Sequence, residues 1–466
     1  MGVVKEYGWL RKLASLLYIG DREMKFARAA SGFYVSSAFS ATSRFLVMAV
    51  IIRYLGYHDY GLLVLAMSTS AILYGFLDVR AEEGVLVKAL GEAGENRERE
   101  MLHLIYAGYL VKALVALLSY VAIYMLAPFI ADHVFHNPVQ KSLLRICGIA
   151  WFFQAFITVP STVFLIFHEY VLLNILVCVE NIWYFLFPAL LLPFRLRGVL
   201  SGFIVAYAVT AATMVFFSGR VVSNRIGVHK ISFRDVLSSA RGIFPFLFHS
   251  FIASTFKSFH SYFSFMVLGY FRSPMDVTYF KIASSYSGML TFAISPVVSP
   301  MLSKFSHLYA EDKRELFTRA LAKARLYLFL ASLMGSVFLL VSARILLPLF
   351  FGEDARNGLA VAYLLTGYAF ISNAHLWMRG YLISILHPEW LTFLNALFAM
   401  VSLLLTVFLT QYYGAEGAAF ALLVSFVLVV LPLSLWFIKK ERALHTVFLK
   451  ERKTISAERL NDSTQI

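Results

Sequence analysis

The sequence is poor in charged residues and in cysteine. Charged residues make up 15% of its 466 positions, whereas hydrophobic residues make up 60% and the mean hydropathy is +0.73. A water-soluble domain cannot bury so much apolar surface, so this balance excludes a soluble fold. The two cysteines, Cys147 and Cys178, both lie in apolar runs, which excludes a disulfide framework and a cysteine-based metal cluster.

Motifs of ATP-, metal- and nucleophile-dependent chemistry are also missing. The chain has no G-x-x-x-x-G-K-[ST] loop, no H-E-x-x-H, no C-x-x-C and no nucleophile elbow. We therefore predict no catalytic residue, no metal site and no cofactor. A polytopic glycosyltransferase or polysaccharide polymerase is the enzymatic alternative, but the longest outer connection, about residues 129–141, offers a single acid, Asp132.

The sequence contains instead a series of apolar runs of about 20 residues, the length that an α-helix needs to cross the hydrocarbon core. These runs predict an all-α polytopic membrane protein of about twelve transmembrane helices. The spans are placed near residues 30–54, 61–80, 103–128, 142–166, 170–194, 198–219, 242–270, 278–302, 324–350, 357–385, 390–411 and 415–438.

Lysine and arginine are distributed unevenly between alternate connections of these spans. Residues 1–29, 79–102, 219–241, 303–325 and 439–466 together hold 28 of them. The opposite connections hold nine: Arg53, Lys141, Arg145, Arg195, Arg197, Arg272, Lys281, Arg344 and Arg356. The positive-inside rule predicts a multi-pass protein of the cell membrane with both termini in the cytoplasm. This topology accounts for the net charge of +14, so we predict no nucleic-acid partner.

The two halves of the chain resemble each other. Residues 28–57, which end in Leu55-Gly56-Tyr57, match residues 241–270, which end in Leu268-Gly269-Tyr270, at an offset of 213. Six spans per half place both halves in the membrane in the same sense, which predicts two pseudo-symmetric six-helix lobes with a cavity between them. The predicted divisions are an amphipathic cytoplasmic segment 1–29, an N-lobe 30–222, a cytoplasmic linker 223–241, a C-lobe 242–438 and a basic cytoplasmic tail 439–466.

Charged residues within the spans are candidate functional residues, because a charge at mid-bilayer costs at least about 2.5 to 3.5 kcal/mol. The predicted cavity cations are Arg44, Lys112, Lys257 and Arg379, of which Arg44 and Lys257 are related by the repeat. Lys112 lies close enough to its cytoplasmic helix end to snorkel instead, and both interpretations stay open. Glu180 is the one deep carboxylate and serves either charge balance or ion coupling. The excess of cations predicts an anionic cargo.

Serines recur at helical spacing beside two of these cations. They are Ser36, Ser40 and Ser43 in the first span and Ser250, Ser254 and Ser261 in the seventh. This spacing places each set on one side of its helix, so we predict two polar stripes that line the cavity.

Several short motifs resemble those of a known family. Arg53-Tyr54-Leu55-Gly56 with Tyr60-Gly61 resembles the R-x-L-G-x-x-x-[YF]-G signature of the oligosaccharide and polysaccharide flippases in the multidrug/oligosaccharidyl-lipid/polysaccharide (MOP) exporter superfamily. Residues 266–279 with Pro296, Pro300 and Leu302 resemble the start of the second lobe, and residues 413–419 resemble the entry to the last helix.

This resemblance implies two lobes that open alternately to either face, with cations that hold the phosphate or pyrophosphate of a polyprenyl-linked saccharide. The implied partners are this lipid-linked saccharide, membrane lipids and polysaccharide assembly enzymes. Lipid II flippases typically carry more arginines on the first helix, where this chain has Val47. A MATE-type multidrug exporter is the alternative transporter, although its reliance on buried carboxylates fits four cations and one acid badly.

Overall fold

The computed structural model describes residues 21–91, 97–227, 233–311, 313–384 and 388–463. The structure does not describe every side chain in these ranges. Those of residues 21–35 and of most of residues 242–260 are among the ones left out. Every regular element in the described ranges is a helix. Eight helical stretches in these ranges are long and apolar enough to cross a membrane. The predicted all-α membrane class is confirmed.

The first half of the chain supplies one helix for each of its six predicted spans and one short extra helix. The helices are α1 (Asp21–Leu55), α2 (Tyr57–Gly75), α3 (Ala81–Gly91), α4 (Arg97–Phe129), α5 (Val139–Ile166), α6 (Tyr170–Leu190) and α7 (Arg195–Ile226). A π-helical turn, Ile130–Val134, follows α4, and a 3-10 turn, Leu192–Phe194, separates α6 from α7. The short helix α3 lies between the second and third predicted spans.

The second half is more interrupted than its spans predict. Its helices are α8 (Phe233–Phe271), α9 (Pro274–Ile294), α10 (Val298–Ala310), α11 (Arg314–Phe351), α12 (Leu359–Ala374), α13 (Trp377–Ser384) and α14 (Pro388–Ser463). The span predicted at 278–302 breaks at the 3-10 turn Ser295–Val297, because Pro296 lacks the amide hydrogen that a continuous helix needs. The span predicted at 357–385 is divided between α12 and α13. The last two predicted spans lie within α14, which is interrupted at Gly414, where φ is +57°.

Where the chain is described, the predicted linker 223–241 is mostly helical. The helix α7 continues to Ile226, and α8 has already begun at Phe233. Contact between the two halves is made mainly by α2, which packs against α8 and α9, and by α4 against α8. One large hydrophobic core therefore includes side chains of both halves, such as Leu63 and Leu268.

A glycine permits the close approach of α2 to α9. A β-carbon on Gly61 would lie 1.9 Å from the carbonyl oxygen of Pro274, the first residue of α9. That position of Pro274 is fixed by a capping box, in which Ser273 and Asp276 exchange side-chain to backbone hydrogen bonds. The nearest atoms are the carbonyl oxygen and carbon of Pro274, which are backbone and cannot rotate away. The helices must therefore separate if residue 61 gains a side chain.

We expect Gly61→Ala to lower the free energy of unfolding by at least about 1 to 3 kcal/mol, the range for overpacking a tight contact. The measurement is the thermal unfolding temperature of the purified protein in detergent. Gly288→Ala in α9 is the matched control, since nothing lies within 4 Å of a β-carbon there. Equal unfolding temperatures for the two variants would contradict the proposed tight contact.

Candidate substrate site between the two halves

Arg44 lies near the middle of Ser36–Leu55, the membrane-crossing part of α1. Its Nε donates a hydrogen bond to Oδ1 of Asn181 on α6 at 3.3 Å. Its charge also acts on Glu180 and Tyr184 of α6 and on Tyr207 of α7. The side chains of Tyr184 and Tyr207 are in edge-on contact, with ring centres 4.8 Å apart. Arg44 and Glu180, both predicted from the sequence, are therefore neighbours.

Two side chains from the second half complete the surroundings of Arg44. Tyr262 of α8 and Lys281 of α9 both interact with it electrostatically. The Nζ atom of Lys281 lies 5.7 Å from the centre of the Phe265 ring. Arg44 is itself exposed, and its neighbours come from both halves, so its guanidinium lies at the space between them.

Lys281 is a site residue that the sequence analysis missed. It is one of the nine cations placed in the outer connections, but the structure places it within α9, well after the start of that helix at Pro274. A sequence signal did exist, because Lys281 is the single cation in the otherwise uncharged run of residues 277–294. The assignment failed because Lys281 lies three residues after the start of the predicted span 278–302 and was counted with the connection that precedes it.

The site can donate hydrogen bonds in several directions. Among the described residues it combines two cations, Arg44 and Lys281, with one carboxylate, Glu180, and with the phenol groups of three tyrosines. The excess of one positive charge favours an anion. Guanidinium, ammonium and phenol groups are all suited to bind phosphate oxygens, and charge-assisted hydrogen bonds are the strongest of these contacts.

The serine stripe of α1 does not open freely into this space as predicted. Ser36 Oγ donates to Asn174 Oδ1 at 2.9 Å, Ser43 Oγ donates to the carbonyl of Asn181 at 3.2 Å, and Asn181 Nδ2 donates to Ser40 Oγ at 2.7 Å. Ser36 is buried, and Ser40 and Ser43 are half-buried. The stripe is a contact surface between α1 and α6. Asn174 and Asn181, seven residues apart in an apolar helix, are the sequence signal for its partner.

Lys112 lies in a separate charged cluster, away from any cavity surface. Its side chain is fully buried, and its Nζ lies 2.6 Å from Oδ1 of Asp78 and 2.7 Å from Oε2 of Glu82. Asp78 is in the connection after α2, where Arg80 adopts a left-handed conformation with φ +48°, and Glu82 is in the first turn of α3. Lys112 therefore does not snorkel to the membrane surface. Its charge is offset by two carboxylates that the sequence analysis did not count.

The remaining predicted site residues stay predictions. The side chains of Lys257, Ser250 and Ser254 lie outside those that the structure describes. Ser261 is exposed on α8. Arg379 is exposed on α13 and forms no hydrogen bond or ion pair with another residue in the described part of the chain.

The fold is similar to those of known lipid flippases and multidrug transporters. It matches "Lipid II flippase MurJ, inward closed conformation" with a TM-score of 0.69 and 15% identity over 89% of this chain and 87% of that one. It matches an inward-facing multidrug resistance MATE family transporter of the MOP superfamily with a TM-score of 0.70 and 13% identity over 87% of this chain and 96% of that one. For an outward-facing transporter of the same description the TM-score is 0.56, at 13% identity over 89% and 96% of the two chains.

These similarities show that the chain has the fold of the lipid II flippase MurJ and of MATE family transporters of the MOP superfamily. The sequence matches the family model of polysaccharide biosynthesis proteins over residues 50–355, more than half of the chain, so the protein belongs to that family. The family resemblance found in the sequence is thereby confirmed. None of the curated proteins is significantly similar to the chain in sequence.

We expect Lys112→Met to destabilise the protein by about 3 to 5 kcal/mol, because it leaves two largely buried carboxylates without their cation. The triple variant Asp78→Asn, Glu82→Gln and Lys112→Met should recover most of the lost stability, since no unpaired charge remains. Thermal unfolding in detergent measures both effects. If Lys112 instead served only to bind cargo, Lys112→Met would unfold at the wild-type temperature and lose only transport.

Proposed function

We propose that the protein is a flippase that moves a polyprenyl phosphate- or pyrophosphate-linked oligosaccharide across the cell membrane for polysaccharide biosynthesis. The observation that carries the proposal is that α1, with Arg44, packs against α9 of the second half, with Lys281, and that the two cations are close enough to interact electrostatically. Membership of the polysaccharide biosynthesis family supports the saccharide, and the two cations support its anionic linkage.

The charge balance of this site favours an anionic cargo over a cationic one. Two cations that interact away from bulk water repel each other, and Glu180 can offset only one of them. A phosphate or pyrophosphate between them would remove the repulsion and accept hydrogen bonds from both halves. A cationic drug would need a free carboxylate, whereas Glu180 already interacts with Arg44. A multidrug exporter is therefore the weaker proposal.

Alternating access requires a contact between the halves that can open, and one end of the molecule offers it. The guanidinium of Arg53, in the last turn of α1, donates to the carbonyls of Leu349 and Phe350, the latter at 2.8 Å. The Tyr57 hydroxyl donates to the carbonyl of Phe351 at 3.2 Å. These acceptors are last-turn carbonyls of α11, which have no partner within their own helix.

A hydrogen bond that the second half donates to the first strengthens the same contact. The Thr278 hydroxyl of α9 donates to the carbonyl of Tyr57 at 2.6 Å, and the side chain of Thr278 is fully buried. With both termini in the cytoplasm, as the charge distribution predicts, α1 ends at the outer face. We infer that these contacts form the outer gate in a state that is open to the cytoplasm, and that they separate when cargo is released outside.

The anion site is tested by transport of a labelled polyprenyl-linked oligosaccharide into proteoliposomes. Arg44→Ala or Lys281→Ala should each reduce cargo binding about ten- to hundredfold, because each removes a charge-assisted contact of about 1.5 to 3 kcal/mol. Lys281→Arg, which keeps the charge, should retain most activity. Arg220→Ala is the matched control, because Arg220 lies over the Phe216 ring on α7.

Wild-type transport in the Arg44→Ala, Lys281→Ala double variant would contradict the anion site, and transport of cationic dyes would then be tested. Glu180→Gln separates its two possible roles. A mild loss of transport is expected if Glu180 balances charge, and a complete loss is expected if it carries a coupling proton.

The gate is tested with a single cysteine, Thr278→Cys, in a variant that lacks Cys147 and Cys178. Arg53→Met should increase its rate of labelling by a membrane-impermeant maleimide added from outside, because Arg53 holds the two halves together. Arg272→Met is the matched control, since Arg272 donates to the carbonyls of Thr410 and Gln411 within its own half. Equal labelling rates in the two variants would exclude Arg53 as a gate residue.

A further inference from the structure

Arg44 and Lys281 are not the only cations within the membrane-crossing helices; Arg344 is another, and it lies on an outward surface of α11. It precedes the end of this helix at Phe351 by seven residues, which corresponds to about 10 Å. Its neighbours Val341 and Ile345 are 71% and 69% exposed. The helix is long and apolar enough to cross a membrane, so this exposed apolar side faces lipid. Arg344 is thus a charged residue on a lipid-facing surface.

Arg344 differs from the arginines at neighbouring helix ends in having no partner among the described residues. Arg53 and Arg272 donate to carbonyls at helix ends, Arg356 pairs with Glu353 at 2.6 Å, and Arg145 lies 4.2 Å from the centre of the Tyr124 ring. Arg344 forms no hydrogen bond, ion pair or ring contact with any residue in the described ranges. An arginine left unpaired by the chain within a bilayer extends its guanidinium toward water or toward lipid head groups.

A groove between α11 and α12 surrounds this guanidinium. Its volume is about 500 Å³, and it is lined by Leu340, Val341, Arg344 and Tyr363. The Tyr363 hydroxyl likewise has no hydrogen-bond partner among the described residues, and Tyr363 is only half-buried. The groove is open to its surroundings and offers two free donors beside an apolar wall.

We propose that this groove binds an anionic phospholipid of the surrounding bilayer. The lipid phosphate accepts hydrogen bonds from Arg344 and Tyr363, and an acyl chain lies along Leu340 and Val341. Arginine extends toward the level of the head groups from within a span, and its planar guanidinium matches the geometry of phosphate oxygens. Basic pockets between transmembrane helices bind phospholipid head groups in this way.

The position of the groove distinguishes its occupant from the transported cargo. Both of its helices belong to the second half of the chain, and the lining residues of α11 are exposed on the outside of that half. No electrostatic interaction joins Arg344 to Arg44, Lys281 or Glu180. A lipid can therefore remain in the groove whichever way the central space opens, and the proposal does not depend on the cargo.

Native mass spectrometry of the purified full chain tests this proposal, with phosphatidylglycerol and phosphatidylcholine as probes. We expect the wild type to retain phosphatidylglycerol in preference to phosphatidylcholine and Arg344→Gln to lower that affinity by about tenfold. Arg344→Lys should keep part of the affinity for phosphatidylglycerol. Arg356→Gln is the matched control and should bind as the wild type does, because Arg356 already pairs with Glu353 outside the groove.

Two outcomes would overturn the proposal: equal binding of the two lipids by the wild type, or unchanged phosphatidylglycerol binding by Arg344→Gln. Binding of polyprenyl phosphate, but not of phosphatidylglycerol, in an Arg344-dependent manner would assign the groove to cargo instead. The unfolding temperature and elution volume of each variant, measured in parallel, separate loss of a lipid contact from loss of the fold.

Discussion

The last turn of α11 depends on the opposite half of the molecule for its hydrogen bonds. An unsatisfied carbonyl within a membrane costs several kcal/mol, and a helix always ends with carbonyls that lack an internal partner. Arg53 and Tyr57 donate hydrogen bonds to the carbonyls of Leu349, Phe350 and Phe351. Next to these carbonyls the Phe45 ring packs against the rings of Phe350 and Phe351, with ring centres 5.3 and 5.0 Å apart. Separation of the halves is possible only if water replaces these donors. On the proposed function, the contact would then have two discrete states, dry and paired or open and hydrated.

Each half has an arginine that donates to helix-end carbonyls, although the two are not equivalent in the repeat, whose offset of 213 aligns Arg53 with Met266. Arg53 is near the end of α1, and Arg272 directly follows α8, the equivalent helix of the second half. Arg53 reaches across to α11, whereas Arg272 reaches α14 within its own half. Of these two donors, only Arg53 joins the halves. The lobes are alike in sequence pattern, but the contact between them is asymmetric.

Local hydropathy was sufficient to predict the all-α membrane class, because a span must be apolar whatever it packs against. It was not sufficient to predict which helix packs against each side of a span. The serine stripe was correctly identified as polar, but Asn174 and Asn181 of α6 satisfy it rather than an open cavity. The partners of Lys112 depend on a chain reversal at Arg80, which no periodic pattern indicates. Arg44 was found because its charge interrupts a clear span, and Lys281 was missed because it stands near a span boundary.

Charge within the membrane-crossing helices is compensated in two ways, and on the proposed function the difference marks the transport site. Lys112 has two carboxylate partners within its own half, so its cluster needs nothing from outside. Among the described residues, Glu180 is the one carboxylate beside Arg44 and Lys281, and on the proposed function these two cations belong to halves that move relative to each other. On the proposed function, Glu180 competes with the cargo phosphate for Arg44. It would then offset the positive charge of Arg44 in the empty transporter. It would also lower the affinity of Arg44 for the phosphate, so that the cargo can leave.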